Sequence, residues 1–264
     1  MSLEIIRLTE SLEPRFLEHV NKDPLRYYWF ILDWRHQRND TEIMMAVDGD
    51  RIEGMMLIFK KSIAQLRGNP AAVESLLDRL DLEKAEIIAP LDCRDMILKK
   101  YKTSREYEMM LMSMEQGQEN VQILHKPERL SLSDSAGIAK VVREANQEWW
   151  DDVTADRVQT SIRDNLWLGI KREGRLVSVG STRFADIGSN IGIIATDREY
   201  RNRGFATSLV SALVREIFQR KTKALIHVLS DNDPAVRVYT SVGFKPYVTS
   251  FMMKHGEKMH DSQR

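Results

Sequence analysis

Between Asn190 and Phe218 an apolar run suited to a strand passes through a short basic loop, Arg201-Asn202-Arg203-Gly204, straight into an amphipathic helix. Phe205, Leu209, Leu213 and Ile217 recur at helical spacing, with Ala206, Val210, Val214 and Phe218 beside them. Arg220, Lys221 and Lys223 follow near the helix C-terminus, where cations are favoured. Strand-like and helix-like segments alternate in this way from end to end. The pattern predicts an α/β or α+β chain and argues against an all-β sandwich.

A strand that enters a helix through a glycine loop leaves backbone N–H groups unpaired at the helix start. Those donors, with the helix dipole, suit an anion. Gly204 permits a backbone conformation and a close approach that a side chain would block, and Arg201 and Arg203 add positive charge. The expected ligand is a phosphate or pyrophosphate. A plain helix N-terminus with surface arginines is the other reading of the loop alone. No Gly-Lys-Ser/Thr follows, so this is not the nucleotide P-loop.

Downstream, Ala224-Leu225-Ile226-His227-Val228-Leu229 reads as a short apolar strand ending in Ser230-Asp231-Asn232-Asp233-Pro234. Asp233 suits an N-cap, Pro234 the first helical position and Gly243 the helix stop. Together, Arg201-Asn202-Arg203-Gly204-Phe205-Ala206 and the block Asn232, Ala235, Tyr239, Gly243, Phe244 resemble the two conserved motifs of the GNAT superfamily of N-acetyltransferases. The resemblance covers roughly residues 120–255. It implies a mixed sheet flanked by helices, in which two parallel strands splay apart to admit the pantetheine arm of acetyl-CoA. It implies that backbone groups of Ile194, Ala195 and Thr196 pair with pantetheine. The main chain of Arg201, Asn202, Arg203, Gly204, Phe205, Ala206 and Thr207 would hold the pyrophosphate, and Asn232 would bond the pantetheine arm. Tyr239 matches the position of the family's general acid towards the departing thiolate. The implied reaction is direct acetyl transfer to a primary amine of a small molecule or peptide, so no nucleophilic cysteine is needed. The base is open: Glu148, Asp151, Asp152 and Glu199 are candidates, with Trp149 and Trp150 as walls of an acceptor pocket.

A polar stretch from Met114 to Asn120 lacks apolar periodicity and suggests a linker, dividing the 264 residues into 1–118 and 119–264. The halves look alike. Each carries a hairpin signal, Asp48-Gly49 in one and Glu173-Gly174 in the other. Each ends in a short helix with a tyrosine nearby, a turn and a final strand: Tyr101 before 107–112, and Tyr239 before 248–253. The expectation is two tandem GNAT-like domains, the first a degenerate copy. Where its loop should stand the sequence reads Arg67-Gly68-Asn69-Pro70, and Pro70 removes an N–H donor that an anion site needs.

Basic and acidic residues balance at 39 each, which argues against nucleic-acid or anionic-membrane partners. Residues 1–118 hold 17 Lys and Arg against 21 Asp and Glu, and the rest 22 against 18, which favours the second half for an anion. No long apolar stretch suggests a membrane span. A lone cysteine, Cys93, and an N-terminus without a signal-peptide core fit the cytoplasm. The six histidines show no helical metal-ligand spacing, so no metal is expected. The aromatic cluster Tyr27 to Trp34 reads as a packed helix. Two other functions stay open: a non-catalytic acyl-CoA-binding module, and an unrelated α/β binding protein. Oligomeric state is not legible.

Overall fold

In the computed structural model, which describes residues 3–150 and 152–260, the elements run twice through a similar order. The first pass is β1 (Glu4–Arg7), α1 (Glu13–Val20), α2 (Tyr28–His36), β2 (Thr41–Asp48), β3 (Arg51–Phe59), β4 (Ile63–Gly68), α3 (Pro70–Leu77), β5 (Lys84–Pro90), α4 (Arg94–Leu98), β6 (Tyr101–Lys102) and β7 (Arg105–Met114). The second is β8 (Glu128–Arg129), α5 (Ser135–Ala145), α6 (Gln147–Trp150), α7 (Ala155–Asp164), β9 (Leu166–Arg172), β10 (Arg175–Arg183), β11 (Ser189–Thr196), α8 (Phe205–Phe218), β12 (Ala224–Leu229), α9 (Asp233–Val242) and β13 (Lys245–Lys258). This is a mixed α/β fold of sheets flanked by helices.

Contacts gather the described residues into two units, one of 3–110, 229–231 and 248–260, the other of 111–228 and 232–247. A single cut near residue 118 does not produce this division, because the last strand crosses back. In unit 1 the order is β1-β2-β3-β4-β5-β13. Every neighbour is antiparallel except β4 and β5, which run parallel and pair only over Ile63↔Glu86 to Gln65↔Ile88. Residues of β13 pair with β5 from Ser250↔Pro90 to Met253↔Ile87. Phe251 and Met253 are thereby buried with Leu66, Leu76, Ile87 and Tyr101. The Tyr101 hydroxyl donates to Leu82 O at 2.8 Å.

In unit 2 the order is β8-β9-β10-β11-β12, with β11 and β12 parallel. The hairpin β9–β10 turns at Glu173 and Gly174, both at positive φ (51° and 74°), as a tight two-residue turn requires. Leu209, Leu213 and Ile217 of α8 are fully buried, and α8 packs on β9, β10 and β11. Also against β10 and β11 lies α5, whose Ile138 and Val142 join Val179 and Ala195 in a second core. Alternate residues of the strands thus meet helices on both sides.

Residues 1–118 expressed alone lack the strand beside β5 and lose Phe251 and Met253, each worth about 1.5–3 kcal/mol when buried. A domain with ~5–15 kcal/mol of total stability tolerates that poorly. The fragment should therefore show no cooperative thermal transition by circular dichroism, whereas the full chain should melt cooperatively. A sharp transition in the fragment would show that β13 is dispensable to unit 1.

Candidate active site

Pairing of β11 with β12 runs only over Ser189↔Ala224, Asn190↔Leu225 and Ile191↔Ile226. At the next residues β11 carries a bulge. Its register against β10 jumps between Gly180↔Ile194 and Thr182↔Ile191, so Gly192 and Ile193 together face Ser181. The Ile193 N–H donates to the Ser181 hydroxyl at 3.1 Å. A bulge bends its strand and increases its twist. Ile194, Ala195 and Thr196 stay paired with β10 on one edge, and their other edge lies beyond the end of the β12 pairing. Free strand edge is a template for another extended chain.

The loop after β11 is built in steps. Asp197 accepts the Glu199 N–H at 3.0 Å and bonds Arg175 at 2.9 Å, which fixes the exit from the strand. Asn202 (φ 60°) and Gly204 (φ 79°) both adopt the left-handed conformation, and Gly204 is the N-cap of α8. The helix ladder starts with the Ser208 N–H to Gly204 O at 3.0 Å. The N–H groups of the turn before Ser208 have no helical acceptor, as at any helix start. Arg201, expected to lend charge, instead donates to Thr196 O (3.3 Å) and Ala145 O (2.7 Å), tying the loop to β11 and to the end of α5. Its contribution to a ligand is left to its main chain.

The cap of α9 is Asn232, one residue earlier than expected, with Pro234 inside the first turn. Its Oδ1 accepts the Ala235 N–H at 3.3 Å, leaving the amide NH2 as its donor to other groups. Tyr239 is 7% exposed, its ring set edge-on to Phe244 at 6.2 Å, and burial raises its hydroxyl above the ordinary phenol range. Cys93 is no nucleophile: burial first, and Asp92 beside it, push the thiol up to about 12.

Of the base candidates, Asp151 and the Glu148 side chain lie outside the described residues. Asp152 is bonded to Arg157, and Glu199 is exposed, 3.7 Å from Arg175. Trp149 and Trp150 stand edge to face at 6.3 Å, with Trp150 packed against the core of Ile138 and Val142. No group of three or more His, Cys, Asp or Glu among the described residues is placed to hold a metal ion. No helix among them is long and apolar enough to cross a membrane.

Unit 1 shows the same early end of a parallel pair, at Gln65↔Ile88, but the chemistry differs. Register between β3 and β4 runs unbroken from Phe59↔Ile63 to Gly54↔Gly68, with no bulge. A single residue, Asn69, separates β4 from α3. Its side chain accepts the Ala72 N–H at 2.9 Å and donates to Glu53 at 3.0 Å, and Pro70 has no N–H. The N–H groups of Asn69 and Ala72 are used and Pro70 has none, so fewer donors remain for an anion than at α8. Arg67 donates to Arg26 O at 3.3 Å and Leu66 O at 2.8 Å, and burial lowers its guanidinium to about 10.

Sequence reasoning missed the connector between the halves. Asn120, at the end of the expected linker Met114 to Asn120, and Gln122 just after it are bonded to α9 and α8: Asn120 N–H to Val242 O at 2.7 Å, Gln122 N–H to the Ser211 hydroxyl at 3.0 Å. It also missed His125, which reaches the Arg203 carbonyl. Polar spacing alone marks a loop and carries no record of what the loop is bonded to.

Comparison with known proteins agrees with this geometry. Residues 167–252 match the model of the family described as FR47-like protein. The fold is similar over the whole length to a Drosophila protein of known structure (TM-score 0.72, 14% identity, 96% of this chain and 99% of that one). It is similar to a tandem GNAT protein from the clavulanic acid biosynthesis pathway (TM-score 0.62, 13% identity, 97% and 98%). An acetyltransferase of the GNAT family from Colwellia psychrerythraea also matches (TM-score 0.58, 11% identity, 96% and 99%). No curated protein sequence matches the chain. At these identities the likeness establishes the fold, which is GNAT-like, and leaves the activity to be argued from the site.

The raised Tyr239 has a measurable consequence. A phenol whose folded pKa exceeds its unfolded value of ~10 adds stability that is complete below that pH and is lost as pH rises beyond it. Tyr101, pushed up to about 12 mainly by burial, adds to the same window. In an alkaline titration followed by phenolate absorbance, Tyr239→Phe should remove one tyrosine from the late phase that accompanies unfolding. Loss from the early phase near pH ~10 would mean an accessible hydroxyl.

Proposed function

We propose that the chain is a GNAT-type acyltransferase with one acetyl-CoA site, in residues 119–264, that transfers the acetyl group to a primary amine by direct attack. The observation that carries this reading is a parallel pair that opens after three residue pairs, beside a left-handed glycine at the start of a buried helix. Ile194, Ala195 and Thr196, beyond the end of the β12 pairing, would meet the amides of the pantetheine arm as an added strand would, with Thr196 O already accepting from Arg201 and Ala195 O from the Ser178 hydroxyl. The main chain of Arg201, Asn202, Arg203, Gly204, Phe205, Ala206 and Thr207 suits the pyrophosphate. The amide NH2 of Asn232, freed by the cap made through Oδ1, suits a pantetheine carbonyl.

Acetyl-CoA supplies the acyl group as a thioester. Attack forms the N–C bond and breaks the C–S bond, the amine loses a proton and the sulfur gains one. An amine with pKa ~10.4 is protonated at neutral pH, so a base or a water must take its proton. Tyr239, neutral at pH 7 as a phenol with pKa ~10 is and raised further by burial, has a proton to offer the thiolate. The acceptor is a small-molecule or peptide amine. Residues 1–118 serve as a degenerate copy without a cofactor loop of its own.

Calorimetry should find one coenzyme A site per chain, abolished by Gly204→Val, since a β-branched residue at φ 79° costs about 1–3 kcal/mol or moves the loop. Two equivalent sites per chain would sink the degenerate-copy reading.

The depth of Tyr239 favours one second reading, a module that binds acyl-CoA without transferring it. Thiol release across an amine library separates the two. With an acceptor found, Tyr239→Phe should cut turnover by roughly 10-fold or more, in line with the ~10²–10⁴-fold worth of positioned proton transfer. Coenzyme A affinity should stay nearly unchanged. Equal turnover with chemistry rate-limiting would remove Tyr239 from the reaction.

A further inference from the structure

Resting on the cofactor reading above, we infer that His125, on the segment joining the two halves, is a positioning residue for the acyl-CoA loop. It turns the peptide planes at Arg203 and Gly204 so that their N–H faces are offered to the pyrophosphate.

One carbonyl of the loop, Arg203 O, is held by this segment directly, and the next, Gly204 O, is held by Ser208 of α8, to which the segment is bonded. The His125 ring lies between the Arg203 carbonyl oxygen, 2.8 Å from Nε2, and the Arg172 guanidinium, 2.6 Å from Nδ1. A guanidinium can only donate, so Nδ1 accepts, and Nε2 carries the proton that goes to Arg203 O. The ring also stacks on Phe205, the first residue of α8, with centroids 4.0 Å apart and planes 11° from parallel. The next carbonyl, Gly204 O, accepts from the Ser208 hydroxyl at 2.9 Å. That hydroxyl in turn accepts the N–H groups of Leu124 (3.1 Å) and His125 (3.2 Å). One donor and two acceptor positions are all a serine hydroxyl has, and Ser208 is fully buried, so this knot is saturated.

In a trans peptide the N–H points opposite to the C=O of the same unit, and there is no cis bond among the described residues. Drawing Arg203 O towards His125 and Gly204 O towards Ser208 therefore turns the N–H groups of Gly204 and Phe205 to the opposite side. The left-handed Asn202 and Gly204 permit this orientation, and the histidine bond selects it. Without that bond the Arg203–Gly204 peptide is free to flip, which would present a carbonyl oxygen to an anion.

Full-length protein titrated with coenzyme A, and deuterium exchange of the amides of 203–207 without ligand, test this. His125→Phe keeps the stacked ring and removes the donor. His125→Gln keeps an N–H donor and removes the ring. The phenylalanine variant should bind coenzyme A roughly 3–10-fold more weakly, the worth of one hydrogen bond, and exchange faster at 203–207. The glutamine variant should stay close to wild type in both. Wild-type affinity in His125→Phe, or a loss in His125→Gln as large as in His125→Phe, overturns the inference and leaves the cofactor reading standing. Failure of the wild-type chain to bind coenzyme A overturns the cofactor reading, and the inference with it.

Discussion

Everything in unit 2 follows from β11 and β12 parting after Ile191 and Ile226. Backbone N–H and C=O groups left without partners are costly unless something else bonds them. An open parallel pair is thus a standing demand for an extended, amide-bearing ligand or for water. The bulge at Gly192 and Ile193, with Ser181 closing one of its N–H groups, bends the strand away at the point where pairing stops. The same bend carries the chain past Asp197 into the left-handed turns that open α8. Strand divergence and helix start are one structural event, which is why an amide arm and an anionic tail can be read from neighbouring residues.

Unit 1 shows that topology alone does not make such a site. Its parallel pair also ends after three residue pairs, yet β4 keeps full register with β3 and reaches α3 through Asn69 alone. Gly68 (φ 134°) is there for a different reason: a β-carbon would lie 2.5 Å from Glu53 O and from Gly54 Cα. A glycine after a strand can therefore mean a cradle for a ligand or a close crossing of two strands. What separates the cases is the length of the turn that follows and whether its N–H groups are already bonded.

Local periodicity made the helices, hairpins and the glycine of the loop legible in the sequence. Buried Leu209, Leu213 and Ile217, the Glu173-Gly174 turn and the Gly243 stop each depend on residues close in the chain. What escaped depends on distant ones. Arg201 is spent on Ala145 O, His125 on Arg203 O, and the last strand on β5. Spacing within a motif says that an arginine or histidine is present and cannot say which carbonyl it meets. The cap of α9 was misplaced by one residue because Asn and Asp cap equally well, and Asn232-Asp233 offers both.

Net neutrality of the chain conceals a local asymmetry at the loop. Arg175 is balanced by Asp197 and Glu199. Arg172 and Arg203 have no carboxylate partner among the described residues. Instead their guanidinium groups lie over the rings of Phe205 (5.1 Å) and Tyr200 (5.5 Å). An aromatic face holds a cation without neutralising it. Field from such groups acts within a Debye length of ~8 Å, so charges balanced elsewhere on the molecule do not cancel it. An overall charge of zero rules out a long polyanion as partner far better than it rules out one pyrophosphate. Phe205, buried at the start of α8, and Tyr200, in the turn before the loop, thus keep two positive groups beside the loop unpaired with acid.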